Sequence, residues 1–262
     1  MYEIVLSIYL FGAGAIIGSF LNVLIYRLPR GEDFVFKRSH CPACRALIHW
    51  YDNLPLLSFI ILRGRCRNCT AAISVQYPLV ELTTGLIFLG SYLQYGLSPQ
   101  MFGVNIFLSL LLVVIVTDFR HYLIPDKITL PGMVLGLLYS IYNPAVTPLE
   151  AVIGLLGGGI VLLALAWLGE LLFKKEALGG GDIKLAAMLG AWLGWQSLAL
   201  VFLFGAFFGL IFAIIKMATA ADRSKARLIP FGPFLALAAI VALFWGQTLI
   251  RIYVEQVLYA QM

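Results

Sequence analysis

Charged residues are scarce in this sequence. They make up 12% of the 262 residues, whereas 61% are hydrophobic. A soluble globular domain carries about twice that share of charge. The few charges also gather in clusters between long uncharged runs. This pattern excludes an ordinary soluble fold and is typical of an all-α polytopic membrane protein.

A basic leader is absent from the N-terminus. The first uncharged run, residues 4–26, is preceded by Glu3 and ends in Tyr26-Arg27, whereas a cleavable signal peptide starts with basic residues and ends at small ones. As a helix this run is roughly 34 Å long, enough to cross a hydrocarbon core of about 30 Å. We predict that residues 4–26 are a retained membrane span.

The remaining uncharged runs bring the predicted total to about eight transmembrane helices. They cover residues 82–117, 128–149, 151–169, 185–215 and 228–250. The turn sequence Gly96-Leu97-Ser98-Pro99 divides the first of these runs into two spans. The run 185–215 is too long for one span, at about 46 Å, and short for two. Because a turn at Gly194-Trp195-Gln196 brings the basic residues to one side of the membrane, we predict a turn there.

Charge distribution supports this division and predicts the orientation. With eight spans, every basic residue except Arg251 falls on the same side of the membrane. By the positive-inside rule that side is the cytoplasm, and both termini lie outside. The net charge of +5 is explained by topology and by contact with anionic membrane lipids, so we predict no nucleic-acid partner.

Cysteine occurs only in the longest polar stretch, where four residues form two CxxC pairs. The pairs are Cys41 with Cys44 and Cys66 with Cys69. This spacing predicts a zinc-ribbon-like site with one tetrahedral ion. Two disulfides are the alternative, which a reducing cytoplasm disfavours. Because four thiolates leave no open coordination position, we expect a structural role for the metal.

Two aspartates lie where membrane spans meet the predicted cytoplasmic boundary. Asp118 ends the third span, and Asp182 follows Gly179-Gly180-Gly181 at the start of a later one. Carboxylates at this depth are costly unless paired, and they usually mark functional sites. Either aspartate alone would also suit an interfacial helix cap. Together they can hydrolyse an amide, because one can take a proton from water while the other protonates the carbonyl oxygen.

Two further charged residues near these aspartates are candidates for supporting roles. Asp126 follows Pro125 and precedes the fourth span, a position that suits helix N-capping. Lys184 follows Asp182 by two residues and could neutralise the site or anchor the helix at lipid headgroups.

These motifs resemble those of a known family. "TDFRHYLIPDKITLP" at 117–131 and "GGGDIKLAAMLGAWLGW" at 179–195 resemble the paired signature of type IV prepilin peptidases, which are GxGD intramembrane aspartyl proteases. "GSFLNVLIYRLP" at 18–29, the CxxC pairs and "PFGPFLALA" at 230–238 fit the same family. The resemblance implies that Asp118 and Asp182 are catalytic and that Gly179 and Gly181 are the fixed glycines of GxGD.

The resemblance also implies a function and a location. Members of the family cut type IV prepilins and type II secretion pseudopilins after the glycine that ends a basic leader, at the cytoplasmic face of the bacterial inner membrane. They then methylate the new N-terminus with S-adenosylmethionine. This second activity rests on the resemblance alone, because the sequence has no glycine-rich nucleotide fingerprint. We expect the methylation site in the cytoplasmic loop.

Three segments are therefore predicted: a first transmembrane helix (1–26), a cytoplasmic four-cysteine loop (27–77) and a transmembrane protease core (78–262). A transporter is one alternative, but its carboxylates should lie near the membrane midplane on repeated helices. A membrane scaffold built on the zinc ribbon is another, and it leaves the aspartates unexplained. A peptidase without methyltransferase activity is also compatible with the sequence.

Overall fold

The computed structural model describes residues 2–174, 178–219 and 229–258. Within these ranges the chain is helical and contains no β-strand, which confirms the all-α prediction. The helices are α1 (Tyr2–Arg27), α2 (Leu57–Ile61), α3 (Gln76–Tyr95), α4 (Pro99–His121), α5 (Asp126–Tyr139), α6 (Pro148–Phe173), α7 (Gly180–Thr219) and α8 (Gly232–Tyr253). Two short 3₁₀ segments lie between α1 and α2, and a π-helical segment follows α8.

Five of these helices are long and apolar enough to cross a membrane. They are α1, α4, α6, α7 and α8. The predicted count of eight is therefore not confirmed. Helix α5 has only 14 residues, or roughly 21 Å, which is short of a hydrocarbon core of about 30 Å. It ends at Tyr139, well before the predicted end of that span at residue 149.

The long helix α7 is interrupted where the sequence predicts a turn. Gly194 has φ 73° and ψ 166°, a conformation that does not fit a helix and that residues with a β-carbon rarely adopt. A methyl group on Gly194 would also lie 3.2 Å from the Val146 side chain. The two parts of α7 are therefore separate helical legs. Three of the basic residues that support the predicted orientation lie outside the described residues, namely Arg223, Lys225 and Arg227.

The chain divides into two compact units, Met1–Val113 and Val114–Met262. In the first unit, α1 packs on α3 through small residues. A methyl group on Gly14 would lie 2.7 Å from the carbonyl oxygen of Thr84, and one on Gly18 would lie 2.7 Å from Cα of Glu81. Such close backbone approach is how membrane helices associate without a hydrophobic driving force.

The first leg of α7 is the core of the second unit. Its residues from Leu185 to Leu193 are buried, and the leg packs against α5 and α6. Nε1 of Trp192 donates a hydrogen bond of 2.8 Å to the carbonyl of Gly132 in α5. Because this leg is packed against neighbouring helices, its first turn, which carries Asp182, is held in a fixed place.

Candidate active site

Asp118 lies in the last turn of α4 and is almost completely buried. Its side chain is 5% exposed. Its Oδ2 accepts a hydrogen bond of 3.1 Å from the main-chain N–H of Gly232 at the start of α8. The carboxylate therefore contacts a segment that lies more than a hundred residues later in the chain.

Asp182 lies in the first turn of α7. Its main-chain N–H donates a hydrogen bond of 3.1 Å to the carbonyl of Gly179, so the glycine segment forms a turn directly ahead of the helix. Its Oδ1 is buried and has no hydrogen-bond partner among the described residues. The carboxyl group of Asp182 interacts electrostatically with that of Asp118. The structure thus brings the two predicted aspartates together.

Ile124 lies between the glycine that precedes Asp182 and the glycine whose main-chain N–H contacts Asp118. This buried residue belongs to the loop between α4 and α5. A methyl group on Gly181 would lie 3.0 Å from its Cβ, and one on Gly232 would lie 2.7 Å from its Cδ1. Two glycines from different parts of the chain therefore pack against one side chain, which fixes the spacing between the aspartate segments.

The three consecutive glycines differ in their surroundings. A methyl group on Gly179 would lie 3.4 Å from Oδ2 of Asp182, whereas one on Gly180 would have no atom within 4 Å. The outer two glycines, which the GxGD pattern fixes, are thus the two with close neighbours. The middle position has room for a side chain.

This difference predicts unequal effects of alanine substitution. We expect Gly181→Ala to lower peptide cleavage roughly tenfold or more, because overpacking costs about 1–3 kcal/mol and here acts beside Asp182. Gly180→Ala is the matched control and should keep nearly full activity. Cleavage rates of the two variants, purified at equal yield, test this. Equal losses in both would show that the contact with Ile124 does not matter.

Lys184 and Asp126 form an ion pair next to the site. Nζ of Lys184 lies 2.8 Å and 2.7 Å from the two carboxylate oxygens of Asp126, and both side chains are partly exposed. The N-capping interpretation of Asp126 is therefore wrong. Pro125 is the N-cap residue of α5, with no side-chain cap bond, and Asp126 is the first helical residue. The pair joins the start of α5 to the start of α7.

The four cysteines form a separate cluster in the first unit. Their sulfur atoms all lie within 4.8 Å of one another. Sγ of Cys41 lies 3.8 Å from Sγ of Cys69. Four Zn–S bonds of about 2.3 Å in a tetrahedron would separate the sulfurs by roughly 3.8 Å. The donor set and its spacing thus fit one tetrahedral zinc ion, as the sequence predicts.

The two CxxC pairs have the same local structure. Antiparallel bridges join His40 to Leu47 and Arg65 to Ala72. The residue after each second cysteine has a left-handed backbone, with φ 59° at Arg45 and φ 57° at Thr70. Each pair is thus a tight turn that points two sulfurs the same way. The main-chain N–H groups of Cys69 and Asn68 lower the pKa of the Cys66 thiol to about 7. Against the N–H of Ala71, which lowers it, the Cys44 thiol and burial raise the pKa of the Cys69 thiol to about 11, so the thiols do not all ionise together without a cation beside them.

An ion pair connects the second cysteine turn to the chain between the pairs. Arg67 donates hydrogen bonds to both carboxylate oxygens of Asp52, the shortest 2.6 Å from Nη2 to Oδ1. The hydrogen bond and charge of Arg67 hold the pKa of Asp52 below its usual value. The cluster is therefore tied to the 3₁₀ segment Trp50–Asn53.

If the metal is structural, removing it should affect the stability of the protein more than the cleavage reaction itself. Cys41→Ser, or zinc removal by a chelator, should lower the unfolding temperature and loosen the loop between α1 and α3, since a structural zinc site contributes directly to folding. We expect the unfolding temperature to fall before cleavage is abolished. Zinc content by atomic emission, thermal unfolding and cleavage rate would be measured together. Complete loss of cleavage in a protein that still unfolds at the wild-type temperature would contradict a purely structural role.

Sequence reasoning singled out neither Gly232 nor Ile124. Gly232 lies in "PFGPFLALA" and Ile124 in "YLIPD". The Gly-Pro pair at the start of an apolar run is a signal for a helix N-terminus. That signal does not reveal which side chain the free N–H of the helix contacts.

Two family models cover most of the chain. The model described as "Bacterial Peptidase A24 N-terminal domain" matches residues 13–95, and the one described as "Type IV leader peptidase family" matches residues 105–214. The second match includes both aspartates and the glycine segment.

Several named proteins are similar over nearly their full length. A "Prepilin leader peptidase/N-methyltransferase" from Aeromonas salmonicida is 40% identical over an aligned length of 269 positions, which covers 92% of this chain and 91% of the relative. Proteins of the same name from Klebsiella pneumoniae and Pseudomonas aeruginosa are 46% and 35% identical, over 75% and 92% of this chain and 89% and 91% of their own lengths. No solved structure matches the chain.

Proposed function

The chain belongs to the type IV leader peptidase family, and on this premise we propose that it is an intramembrane aspartyl endopeptidase that removes the leaders of type IV prepilins and type II secretion pseudopilins. The observation that carries the proposal is that Asp118 and Asp182 lie close together around Ile124, which packs against Gly232, the hydrogen-bond donor to Asp118, and against Gly181, which precedes Asp182. Each comes from the end of a different apolar helix, and they meet beside a glycine turn.

Two neighbouring carboxyl groups can carry out peptide hydrolysis without any other reacting group. The ionised carboxylate takes a proton from water, and the water oxygen attacks the peptide carbonyl carbon. The protonated carboxyl group gives its proton to the carbonyl oxygen. When the tetrahedral intermediate breaks down, the C–N bond cleaves, the first carboxyl group gives the proton it took from water to the leaving nitrogen, and the second takes a proton back from a hydroxyl group of the intermediate. Both carboxyl groups are then in their starting states, one ionised and one protonated.

The surroundings of the aspartates suit an extended peptide. Gly180 has open space beside its Cα, and an extended strand of substrate needs such access to the backbone. Basic residues lie near the same helix ends, namely Arg120 in the last turn of α4 and Lys127 in the first turn of α5. By the positive-inside rule these helix ends face the cytoplasm. If the basic leader of a substrate lies on that side, the peptide bond that follows the leader would lie at the level of the aspartates.

Methylation of the new N-terminus is the second proposed activity. Relatives of this chain carry N-methyltransferase in their names. We propose S-adenosylmethionine as the methyl donor. The free amine released by cleavage attacks its methyl carbon, the bond from that carbon to sulfur breaks, and the nitrogen loses a proton. The loop between α1 and α3, with its four cysteines, is the proposed region of this site.

In this proposal the four-cysteine cluster holds zinc as a structural ion. Cys41, Cys44, Cys66 and Cys69 would occupy all four positions of the tetrahedron. The ion would cross-link the two cysteine turns and take no part in cleavage. The protein would lie in the bacterial inner membrane with the loop and the aspartates on the cytoplasmic side and both termini outside.

A reconstituted reaction tests both activities. Purified protein in liposomes would be incubated with a prepilin that carries its leader, with and without S-adenosylmethionine, and the products would be analysed by mass spectrometry. We expect cleavage after the leader glycine in both mixtures. With the methyl donor present, the product should be heavier by one methylene group. An intact prepilin would overturn the peptidase proposal, and an unmethylated product would overturn only the second activity.

A further inference from the structure

We propose that Gly232 is a positioning residue for the aspartate pair. Its main-chain N–H would hold the Asp118 carboxylate in place, and its lack of a side chain would leave the space that this carboxylate occupies. The inference rests on the proposed peptidase activity and adds a residue to its machinery. Gly232 belongs to the segment that starts α8.

The hydrogen-bond donors of the first turn of α8 can be accounted for one by one. Main-chain N–H groups at a helix start have no partner within their own helix. Pro233 has no N–H to offer. The N–H groups of Phe234 and Leu235 both donate to the carbonyl of Phe231, at 3.1 Å and 3.2 Å. The N–H of Gly232 is the one that points out of this turn.

The partner of this N–H is the buried carboxylate of Asp118. The distance from the nitrogen to Oδ2 is 3.1 Å, which is within hydrogen-bond range. One of the two carboxylate oxygens is thereby fixed by the main chain. Because this bond limits rotation of the carboxylate plane, it also limits the direction in which the other oxygen, Oδ1, points.

A side chain on Gly232 would occupy the place of this carboxylate. An added methyl group would lie 2.7 Å from Oδ2 of Asp118 and 2.7 Å from Cδ1 of Ile124. Both distances are shorter than any normal contact, so both neighbours, or the main chain of residue 232 itself, would have to move. Movement of Asp118 would separate it from its hydrogen bond and from its position opposite Asp182.

Ile124 extends this arrangement to the second aspartate. The same side chain that contacts Gly232 also packs on Gly181, which directly precedes Asp182. The series Gly232, Ile124 and Gly181 thus connects the main-chain segments behind both carboxylates. The side chain in these contacts is apolar. It can therefore hold the segments at a fixed spacing without exchanging protons with the two aspartates.

The test is Gly232→Ala in the reconstituted cleavage assay with the full chain. We expect kcat to fall about 100-fold, as a displacement of about 1 Å at a catalytic group can cause. KM should stay near its wild-type value, and the protein should remain folded at the assay temperature, since overpacking costs about 1–3 kcal/mol. Gly209→Ala is the matched control. It also lies in the second unit and faces the Phe234 ring, but an added methyl group there would make an ordinary contact of 3.6 Å.

A second variant separates displacement of Asp118 from simple crowding. Adding Ile124→Val to Gly232→Ala removes the Cδ1 atom and leaves the conflict with Oδ2. We expect kcat of the double variant to stay low, and this remains decisive even if the single variant folds poorly. Recovery of activity in the double variant, or wild-type kcat in the single one, would overturn the inference. Cleavage by the wild-type protein in the same assay keeps this outcome distinct from failure of the proposed function.

Discussion

Replacing either aspartate of the pair by asparagine should almost abolish prepilin cleavage. We expect Asp118→Asn and Asp182→Asn each to lower the rate by about 10²–10⁴-fold, because an amide can neither accept the proton from water nor return one. Asparagine has nearly the same shape, so the hydrogen bond from Gly232 to position 118 can persist. Cleavage rates in liposomes, with thermal unfolding as a check on folding, measure the effect.

A nearby carboxylate outside the pair is the matched control. Asp126→Asn removes the partner of Lys184, and partly exposed ion pairs contribute only about 0–1 kcal/mol. We therefore expect a loss of less than about tenfold, since about 1.4 kcal/mol corresponds to one factor of ten. If Asp126→Asn were as damaging as the other two substitutions, the catalytic group would have to include Asp126.

The second large effect is expected where α6 crosses the first leg of α7. A methyl group on Gly190 would overlap the carbonyl of Gly154, and one on Gly154 would overlap the carbonyl of Gly190. A methyl group on Gly158 would likewise overlap the carbonyl of Ala186. Backbone atoms cannot move aside as a side-chain end can. Gly154→Ala and Gly190→Ala should therefore each lower the free energy of unfolding by about 3 kcal/mol or more.

Gly157 provides a control within the same helix. A methyl group there would have no atom within 4 Å, so Gly157→Ala should be neutral or should stabilise α6 by up to about 1 kcal/mol through helix propensity. Unfolding in mixed micelles, followed by circular dichroism, compares the variants. A stable Gly154→Ala protein would show that α6 and α7 are further apart than this structure places them.

The candidate site was largely predictable because its residues are anomalies in an apolar sequence. Carboxylates at Asp118 and Asp182 stand out because each lies at the end of a long apolar run, and the triple glycine marks a turn before a helix. Length left the run 185–215 undecided between one span and two, the distribution of basic residues favoured a break, and the structure places that break at Gly194. The spacing of the cysteines likewise predicted a cluster that the structure contains.

Other features depend on partners that local patterns do not identify. Asp126 satisfied the local rule for an N-cap, yet its carboxylate pairs with Lys184, which is 58 residues away in the chain. The contact of Gly232 with Asp118 spans 114 residues and uses a main-chain N–H that every residue except proline has. The number of spans is not confirmed for a different reason: hydropathy marks apolar runs, and α5 is apolar but too short to cross a membrane as a straight helix.

The most direct test of the two-aspartate site is the cleavage rate of the double variant Asp118→Asn/Asp182→Asn, compared with the rates of both single variants. Groups that act as one catalytic unit lose their effect together, so removing the second adds little to removing the first. We predict that the double variant cleaves prepilin about as slowly as the slower single variant. A double-variant loss equal to the product of the two single losses would mean that the aspartates act independently, and would contradict the shared site.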